Sequence, residues 1–189
     1  MDQTDKETSR RMEAARSEFF STGTQYYVAG RYAVIVGLIP VGGNLLHHAV
    51  EMFLKGGLAA SMELKELKDL GHHLPKIWGS FKTRLGNDGF NRFDPAIDSL
   101  HAFEELRYPD SIISRGARIM MGVTGTPTLA ASAQIIPTPS YELYLSEVDP
   151  LVGAVFEAAS INPAFFTAQL RPDAQKYLRD TNANSWAGQ

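Results

Sequence analysis

The sequence predicts a mainly α-helical fold, and three features of its pattern support that prediction. Good helix formers fill residues 5–38, with apolar residues recurring at helical spacing. The next helical stretch, residues 44–60, is apolar around well over half of its circumference, which is typical of a helix inside a bundle. Proline, glycine and capping residues then divide the chain into shorter helical segments. We therefore expect a bundle of antiparallel helices with the 44–60 helix in its middle.

The boundaries of the predicted helices follow from breakers and caps. Pro40, Gly42 and Gly43 end the first helix, and we expect Asn44 to cap the second. Gly71 separates the second helix from the third, and Pro109 stops the fourth. The segments expected after residue 60 are helices over 72–85, 94–107, 150–159, 163–170 and 173–180, with a turn at 86–89.

Residues 111–146 have a different pattern from the rest of the chain. Residues 117–123 and 141–145 are typical of short strands, and we expect them to pair as a small β-hairpin insertion near 117–146. The segment between them, 124–140, is too long and too rich in proline and threonine for a tight turn, so we expect a mobile or partner-contacting flap. The prediction is a single domain over 1–189, with a core bundle at 5–110, hairpin and flap at 111–146 and C-terminal helices at 149–181.

The composition excludes several classes of protein. The chain has 189 residues, of which 44% are hydrophobic and 21% charged, as in ordinary globular proteins. It contains no cysteine, which excludes disulfides and thiolate metal sites, and its net charge of −3 gives no overall attraction to nucleic acid. The most apolar stretch, residues 32–46, is shorter than the roughly 20 apolar residues that a membrane span needs. We expect a soluble, cytoplasmic protein without membrane association.

A line of polar side chains crosses the apolar second helix. We call it the polar seam, and its members are Asn44, His47, His48, Glu51 and Lys55. All but His47 follow the i, i+4, i+7, i+11 spacing, which places them on one helix face. One interpretation is the solvated edge of a packed helix, where a Glu51–Lys55 ion pair contributes about 0.2–0.5 kcal/mol. The other is the border of a groove, where Lys55 supplies a fixed positive charge and His48 a titratable donor.

Two positions outside the polar seam suit an anionic ligand. His72 precedes a helix N-terminus, where backbone N–H groups favour anions, and the planar guanidinium of Arg107 suits a phosphate. Each has a purely structural alternative, because a histidine can cap a helix and an arginine is favoured near a helix C-terminus. Neighbouring histidines on a helix diverge by about 100°, and no metal-binding spacing is present, so we predict no metal site and no cofactor.

Several blocks of the sequence, taken in order, resemble the HEPN domain (higher eukaryotes and prokaryotes nucleotide-binding). They are Pro40-Val41, Asn44-Leu45-Leu46, His48-Ala49-x-Glu51, Leu54-Lys55, Gly71-His72-x-Leu74 and Leu106-Arg107-Tyr108-Pro109. The resemblance covers roughly residues 10–110. It implies an up-and-down antiparallel helical bundle, usually a homodimer, in a family that binds nucleotides or RNA, accompanies nucleotidyltransferase partners or cleaves RNA without metal. The ribonuclease branch has a histidine four to six residues after an arginine. This chain departs from that motif, because His101 lies well beyond Arg92.

Three functions stay open at the level of sequence. We favour a binding module without catalysis that holds a nucleotide, another phosphate-bearing ligand or RNA. The residues expected to bind it are Asn44, His48, Glu51, Lys55, His72 and Arg107. The second function is a toxin-type, metal-independent ribonuclease with a histidine base and Arg107 for charge. The third is an interaction protein that dimerises or binds a partner through the apolar second helix and the flap, which a close-packed groove beside Lys55 would favour.

Overall fold

A computed structural model describes residues 3–125 and 138–182, with side chains described from residue 7 onward except that of residue 9. The α-helices are α1 (Gln3–Ile35), α2 (Val41–Leu58), α3 (Leu64–Asp69), α4 (Leu74–Leu85), α5 (Asp94–Ala102), α6 (Pro109–Arg115), α7 (Leu145–Ala158), α8 (Ala164–Thr167) and α9 (Pro172–Thr181). Two 3-10 helices, Asp88–Phe93 and Phe103–Leu106, flank α5, and the strands are β1 (Arg118–Gly122) and β2 (Ser140–Tyr144). In these ranges, no helix combines the length and apolar character that crossing a bilayer requires. The mainly α fold is confirmed, whereas the up-and-down order of the bundle stays a prediction.

Helix α2 packs against several helices, as its wide apolar surface predicts. It lies along α1 and also contacts α4, α5 and α7. Two consecutive glycines of α2 lie at two of these contacts. Gly56 faces Phe20 of α1, and Gly57 faces Phe81 of α4. Side chains at these positions would hold the helices apart, so the glycines allow α2 to be buried on two sides.

Helix α2 begins at Val41, so the predicted cap at Asn44 is wrong and Asn44 lies inside the helix. The reason is tertiary packing. Gly42 contacts Val34 of α1 and Gly43 contacts the buried ring of Phe103, and these contacts outweigh the low helix propensity of glycine.

Replacing Gly43 with alanine is expected to destabilise the protein by about 1–3 kcal/mol, because the new methyl group would overlap the ring of Phe103. Gly79 of α4 is the matched control, since a methyl group there meets nothing within 4 Å. Gly79→Ala is expected to stabilise by about 0.5–1 kcal/mol through helix propensity alone. Urea unfolding of the two variants measures both effects. Equal effects of the two substitutions would contradict the packing assigned to Gly43.

The fourth helix that was predicted over 94–107 is not a single α-helix in the structure. Helix α5 ends at Ala102, and a 3-10 helix continues to Leu106. Pro109 not only stops this segment but also opens α6, because proline is tolerated in the first turn of a helix. Helix α3 was not predicted either, although Glu63 and Glu66 form a capping box at its start.

The two strands lie near their predicted positions, but the predicted hairpin is wrong because they pair in parallel. Arg118 lies opposite Ser140, and Gly122 lies opposite Tyr144. Parallel neighbours need a connection of about a dozen residues or more, and residues 123–139 provide that length. The predicted flap at 124–140 falls mostly on residues 126–137, which lie outside the described part of the chain.

A buried ion pair ties the C-terminal helices to α1. Arg31 is fully buried and pairs with Asp149 of α7. Arg31 also donates to the backbone carbonyl of Thr181, at the end of α9, at 2.6 Å. The Tyr27 hydroxyl donates to Oδ1 of Asp149 at 2.5 Å. These contacts hold α1, α7 and α9 together inside the core.

Exposed apolar side chains are concentrated at the turn between α1 and α2. They are Tyr32, Ile35, Val36, Leu38, Ile39 and Val41. Single exposed apolar residues are common on any protein, whereas a group of this size often contacts another molecule. This exposed apolar group does not overlap with the polar seam, which begins at Asn44, further along α2.

Candidate functional site

The five histidines of the chain meet at one junction of the fold, and we call them the histidine cluster. His47 and His48 come from α2, His72 and His73 from the turn before α4, and His101 from α5. Ring centroids are 6.3 Å apart for His48 and His72, 5.5 Å for His47 and His48, 6.0 Å for His47 and His101, and 4.4 Å for His73 and His101. Residues distant in sequence thus form one continuous row of imidazoles.

Glu51 lies buried beneath the histidine cluster and accepts contacts from its neighbours. The Nζ of Lys55 donates to Oε1 at 2.8 Å, and Nδ1 of His72 lies 3.0 Å from Oε1 and 3.1 Å from Oε2. The Nδ1 of His48 lies 3.6 Å from Oε2. The Glu51 side chain has 0% exposure. A fully buried carboxylate therefore joins α2 to the turn that carries His72.

The neighbours of Glu51 keep its carboxylate ionised. Burial acts to raise the pKa of Glu51, but its contacts with His48, Lys55 and His72 outweigh burial and lower the pKa from 4.5 to about 2. The ionised form therefore persists throughout the physiological pH range.

Lys55 connects Glu51 to the loop before α4. Its Nζ donates to the carbonyl of Gly71 at 2.7 Å as well as to Glu51. Gly71 has a φ of +64°, a backbone conformation that favours glycine. The lysine thus holds a loop whose shape depends on Gly71 and which presents the adjacent His72.

His47 lies on the other side of Glu51 and is fully buried. Its Nδ1 is 3.1 Å from the carbonyl of Leu100, which can only accept, so this nitrogen carries the hydrogen. Its Nε2 lies 4.0 Å from Oε2 of Glu51 and 3.9 Å from Oε2 of Glu104. Within the described residues, this Nε2 has no hydrogen-bond partner. Burial lowers the pKa of His47, which favours the neutral ring.

Arg107 reaches the histidine cluster through Glu104. Its guanidinium lies 3.0 Å from Oε1 of Glu104 and is 45% exposed. Glu104 in turn approaches His47, so the guanidinium lies at the edge of the cluster. The structure therefore connects Arg107 to the polar seam of α2, although it lies far from it in sequence.

The solvated-edge interpretation of the polar seam is wrong for Glu51 and Lys55, because both are buried. Asn44 is half-buried, and its Oδ1 has no hydrogen-bond partner in the part of the chain that the structure describes. His47 was recognised in the seam but not proposed as a site residue, and His101 and Glu104 were missed. These two residues have an i, i+3 spacing, but no signal in the sequence connected them to α2.

The described clefts include one of about 620 Å³ that is lined by Arg92, Glu157 and Asn162, among others. Its lining contains neither Lys55 nor any of the histidines. Because Glu51, Lys55 and His47 are buried, a ligand at the histidine cluster would contact its exposed edge rather than enter this cleft.

The site brings together the buried carboxylate of Glu51, imidazoles that range from fully buried to mostly exposed, and the guanidinium of Arg107 at the edge. Such a set can bind an anion through its exposed donors or a cation through its buried lone pairs. No family model matches the chain, and no curated protein or solved structure is significantly similar to it. The resemblance to the HEPN domain stays a prediction from the order of the sequence blocks.

Proposed function

We propose that the protein is a helical binding module whose histidine cluster holds a phosphate-bearing ligand, either a nucleotide or RNA. The observation that supports this most is the gathering of His48 and His72 around the buried, ionised Glu51, with Arg107 at the edge of the same cluster. Burying titratable groups costs stability, and such clusters are concentrated at functional sites. A purely structural role would not require partly exposed imidazoles beside a buried carboxylate.

The exposed members of the cluster are the groups that would contact the ligand. His72 is 66% exposed, and its Nδ1 faces Glu51, so its Nε2 edge is available to a phosphate oxygen. Arg107 can offer two parallel donors to a phosphate. The ring of Tyr26 lies 5.7 Å from that of His48, and this partly exposed pair provides a surface on which a base could stack.

Glu51 and Lys55 would act as positioning residues. Their mutual contact and the Lys55 bond to Gly71 use groups that face the protein interior. Lys55 offsets the negative charge that Glu51 would otherwise present to a phosphate. The role proposed for Lys55 therefore changes from direct contact with the anion to neutralising the carboxylate and holding the loop.

Binding without catalysis is better supported than RNA cleavage. Metal-independent cleavage needs a base for the 2′-hydroxyl and a cation for the developing phosphorane charge. The His72–Glu51 pair could supply the base, but the chain departs from the arginine–histidine spacing that marks the ribonuclease branch of the HEPN family.

Thermal unfolding with AMP, ATP, GTP or a short RNA, in the presence of EDTA, tests this proposal. A ligand at about 100 times its Kd is expected to raise Tm by roughly 5 °C or more. His72→Ala and Arg107→Ala are expected to remove most of that increase. Arg115→Ala is the matched control, because Arg115 makes a similar exposed ion pair with Glu105, at 3.2 Å.

A ligand that stabilises all variants equally would exclude the cluster as its site, and the absence of any stabilising ligand would contradict the proposal. Electrophoresis of the RNA from the same incubations separates binding from cleavage. Intact RNA supports the binding module. Cleavage that is lost in His72→Ala would replace it with the ribonuclease alternative.

A further inference from the structure

We propose that His47, His48, Glu51 and Glu104 form a binding site for a divalent transition-metal ion of the Zn²⁺ class. The site lies inside the histidine cluster, between α2 and the 3-10 helix Phe103–Leu106. It does not depend on the proposed nucleotide function, because it is argued from the buried atoms of His47, Glu51 and Glu104 rather than from the exposed groups. Nothing in the spacing along the sequence indicates it.

The buried lone pair of His47 is the first observation. Its Nδ1 donates to the carbonyl of Leu100, so in the neutral ring Nε2 carries a lone pair and no hydrogen. Histidines that bind metals almost always donate their other ring nitrogen to a carbonyl or carboxylate in this way. Among the described residues, Nε2 of His47 has no hydrogen-bond partner, although it is fully buried.

The groups facing this lone pair are themselves acceptors. The Nε2 of His47 lies 4.0 Å from Oε2 of Glu51 and 3.9 Å from Oε2 of Glu104, too far for a hydrogen bond. Oε2 of Glu104 is also buried without a hydrogen-bond partner in the described part of the chain. A cation between these atoms would satisfy all of them and relieve the repulsion between lone pairs.

The ligand atoms of His47, His48 and Glu51 lie close enough together for a first coordination sphere, and Glu104 approaches this group from the side of His47. One ligand atom from each of His47, His48 and Glu51 lies within 4.8 Å of the other two, and Nδ1 of His48 is 3.6 Å from Oε2 of Glu51. A tetrahedral Zn²⁺ with ligands at about 2.0 Å separates them by about 3.3 Å. The distances of 3.6, 3.9 and 4.0 Å between ligand atoms exceed that value by about 0.3–0.7 Å, so side-chain movements of up to about 1 Å would bring these atoms into a tetrahedral shell.

A basic side chain contacts each of the two glutamates and orients its carboxylate so that Oε2 faces His47. Lys55 donates to Oε1 of Glu51 at 2.8 Å, and Arg107 donates to Oε1 of Glu104 at 3.0 Å. Each cation thus contacts the oxygen that the metal would not use. In natural metal sites, hydrogen bonds of this kind orient the residues that bind the metal.

The ligand set favours one class of ion. The chain has no cysteine, so soft thiolate coordination is excluded. Two imidazoles with two carboxylates suit Zn²⁺ and its neighbours in the first transition series better than Mg²⁺ or Ca²⁺, which prefer oxygen alone. His48 is partly exposed and offers a route from solvent to the buried atoms.

The test is titration of EDTA-treated, dialysed full-length protein with ZnCl₂ alone, followed by calorimetry, with Co²⁺ as a spectroscopic probe. We expect one ion per chain, a higher Tm and the visible absorption of tetrahedral Co²⁺. Glu104→Gln and His48→Asn are expected to weaken binding by at least about 10–100-fold. Both replace residues that are at least partly exposed, so these variants should fold, and circular dichroism verifies that they do.

Each variant has a neighbour as its control. Glu105→Gln alters the adjacent glutamate, which contacts Arg115 and Tyr141 instead, and His73→Asn keeps a capping side chain at the start of α4. Both controls should bind Zn²⁺ as the wild type does. No stoichiometric binding by the wild type would overturn the proposal, as would binding that Glu104→Gln and His48→Asn leave unchanged. Because nucleotide binding is measured in EDTA, either proposal can fail without the other.

Discussion

Replacing Asp149 with alanine is expected to destabilise the protein by about 3–5 kcal/mol, because it leaves the guanidinium of Arg31 buried without its carboxylate. Arg31 is fully buried, so water cannot replace the lost partner. Its remaining contacts, with the Tyr27 hydroxyl and with the carbonyl and hydroxyl of Thr181, supply dipoles rather than a countercharge. Urea unfolding monitored by circular dichroism measures the loss.

Two further variants separate the buried charge from the packing around it. Arg31→Met/Asp149→Leu removes both charges, and it is expected to recover much of the stability lost in Asp149→Ala. Asp180→Ala removes an exposed ion pair with Lys176 in α9 and should change stability by less than about 1 kcal/mol. If Asp149→Ala resembled Asp180→Ala, the ion pair would not be what holds α7 and α9 to α1.

The sequence predicted the elements whose signals are local. Helix α2 was expected near its observed position because its apolar periodicity and the breakers before it lie within one short segment. The parallel sheet was not predicted, since strand periodicity is the same for parallel and antiparallel pairs. The partner of Arg31 could not be predicted either, because it lies 118 residues away and only the fold brings the two together.

The candidate site, like the fold, was predictable only where its signal lies within one short segment. The spacing of His48, Glu51 and Lys55 placed them on one helix face, and the structure joins them in one set of contacts. Whether that face met water or protein depended on α4 and α5, about which the seam itself carries no information. Glu104 was missed because only the packing of the 3-10 helix against α2 brings its carboxylate to His47.

Glu51→Gln is expected to cost about 3 kcal/mol of stability in EDTA at pH 7, because it leaves the ammonium of Lys55 buried beside a neutral amide. Lys55→Met in the Glu51→Gln background removes that charge, so the double variant should be more stable than the sum of the two single losses predicts. A coupling free energy of about 1–3 kcal/mol between the two positions is expected for residues in direct contact. Strict additivity in urea unfolding would show that the pair contributes only packing.

Glu51→Gln also tests how the stability of the protein depends on pH. Because the pKa of Glu51 falls from 4.5 to about 2 on folding, its ionised form stabilises the protein above pH 4.5. That contribution is about 3 kcal/mol, and it is lost as the pH falls from 4.5 towards 2. The stability difference between wild type and Glu51→Gln should therefore shrink over this interval, with EDTA present throughout. A difference that stays constant down to pH 2.5 would mean that the carboxylate acts through its shape alone, and the electrostatic account of the cluster would then be wrong.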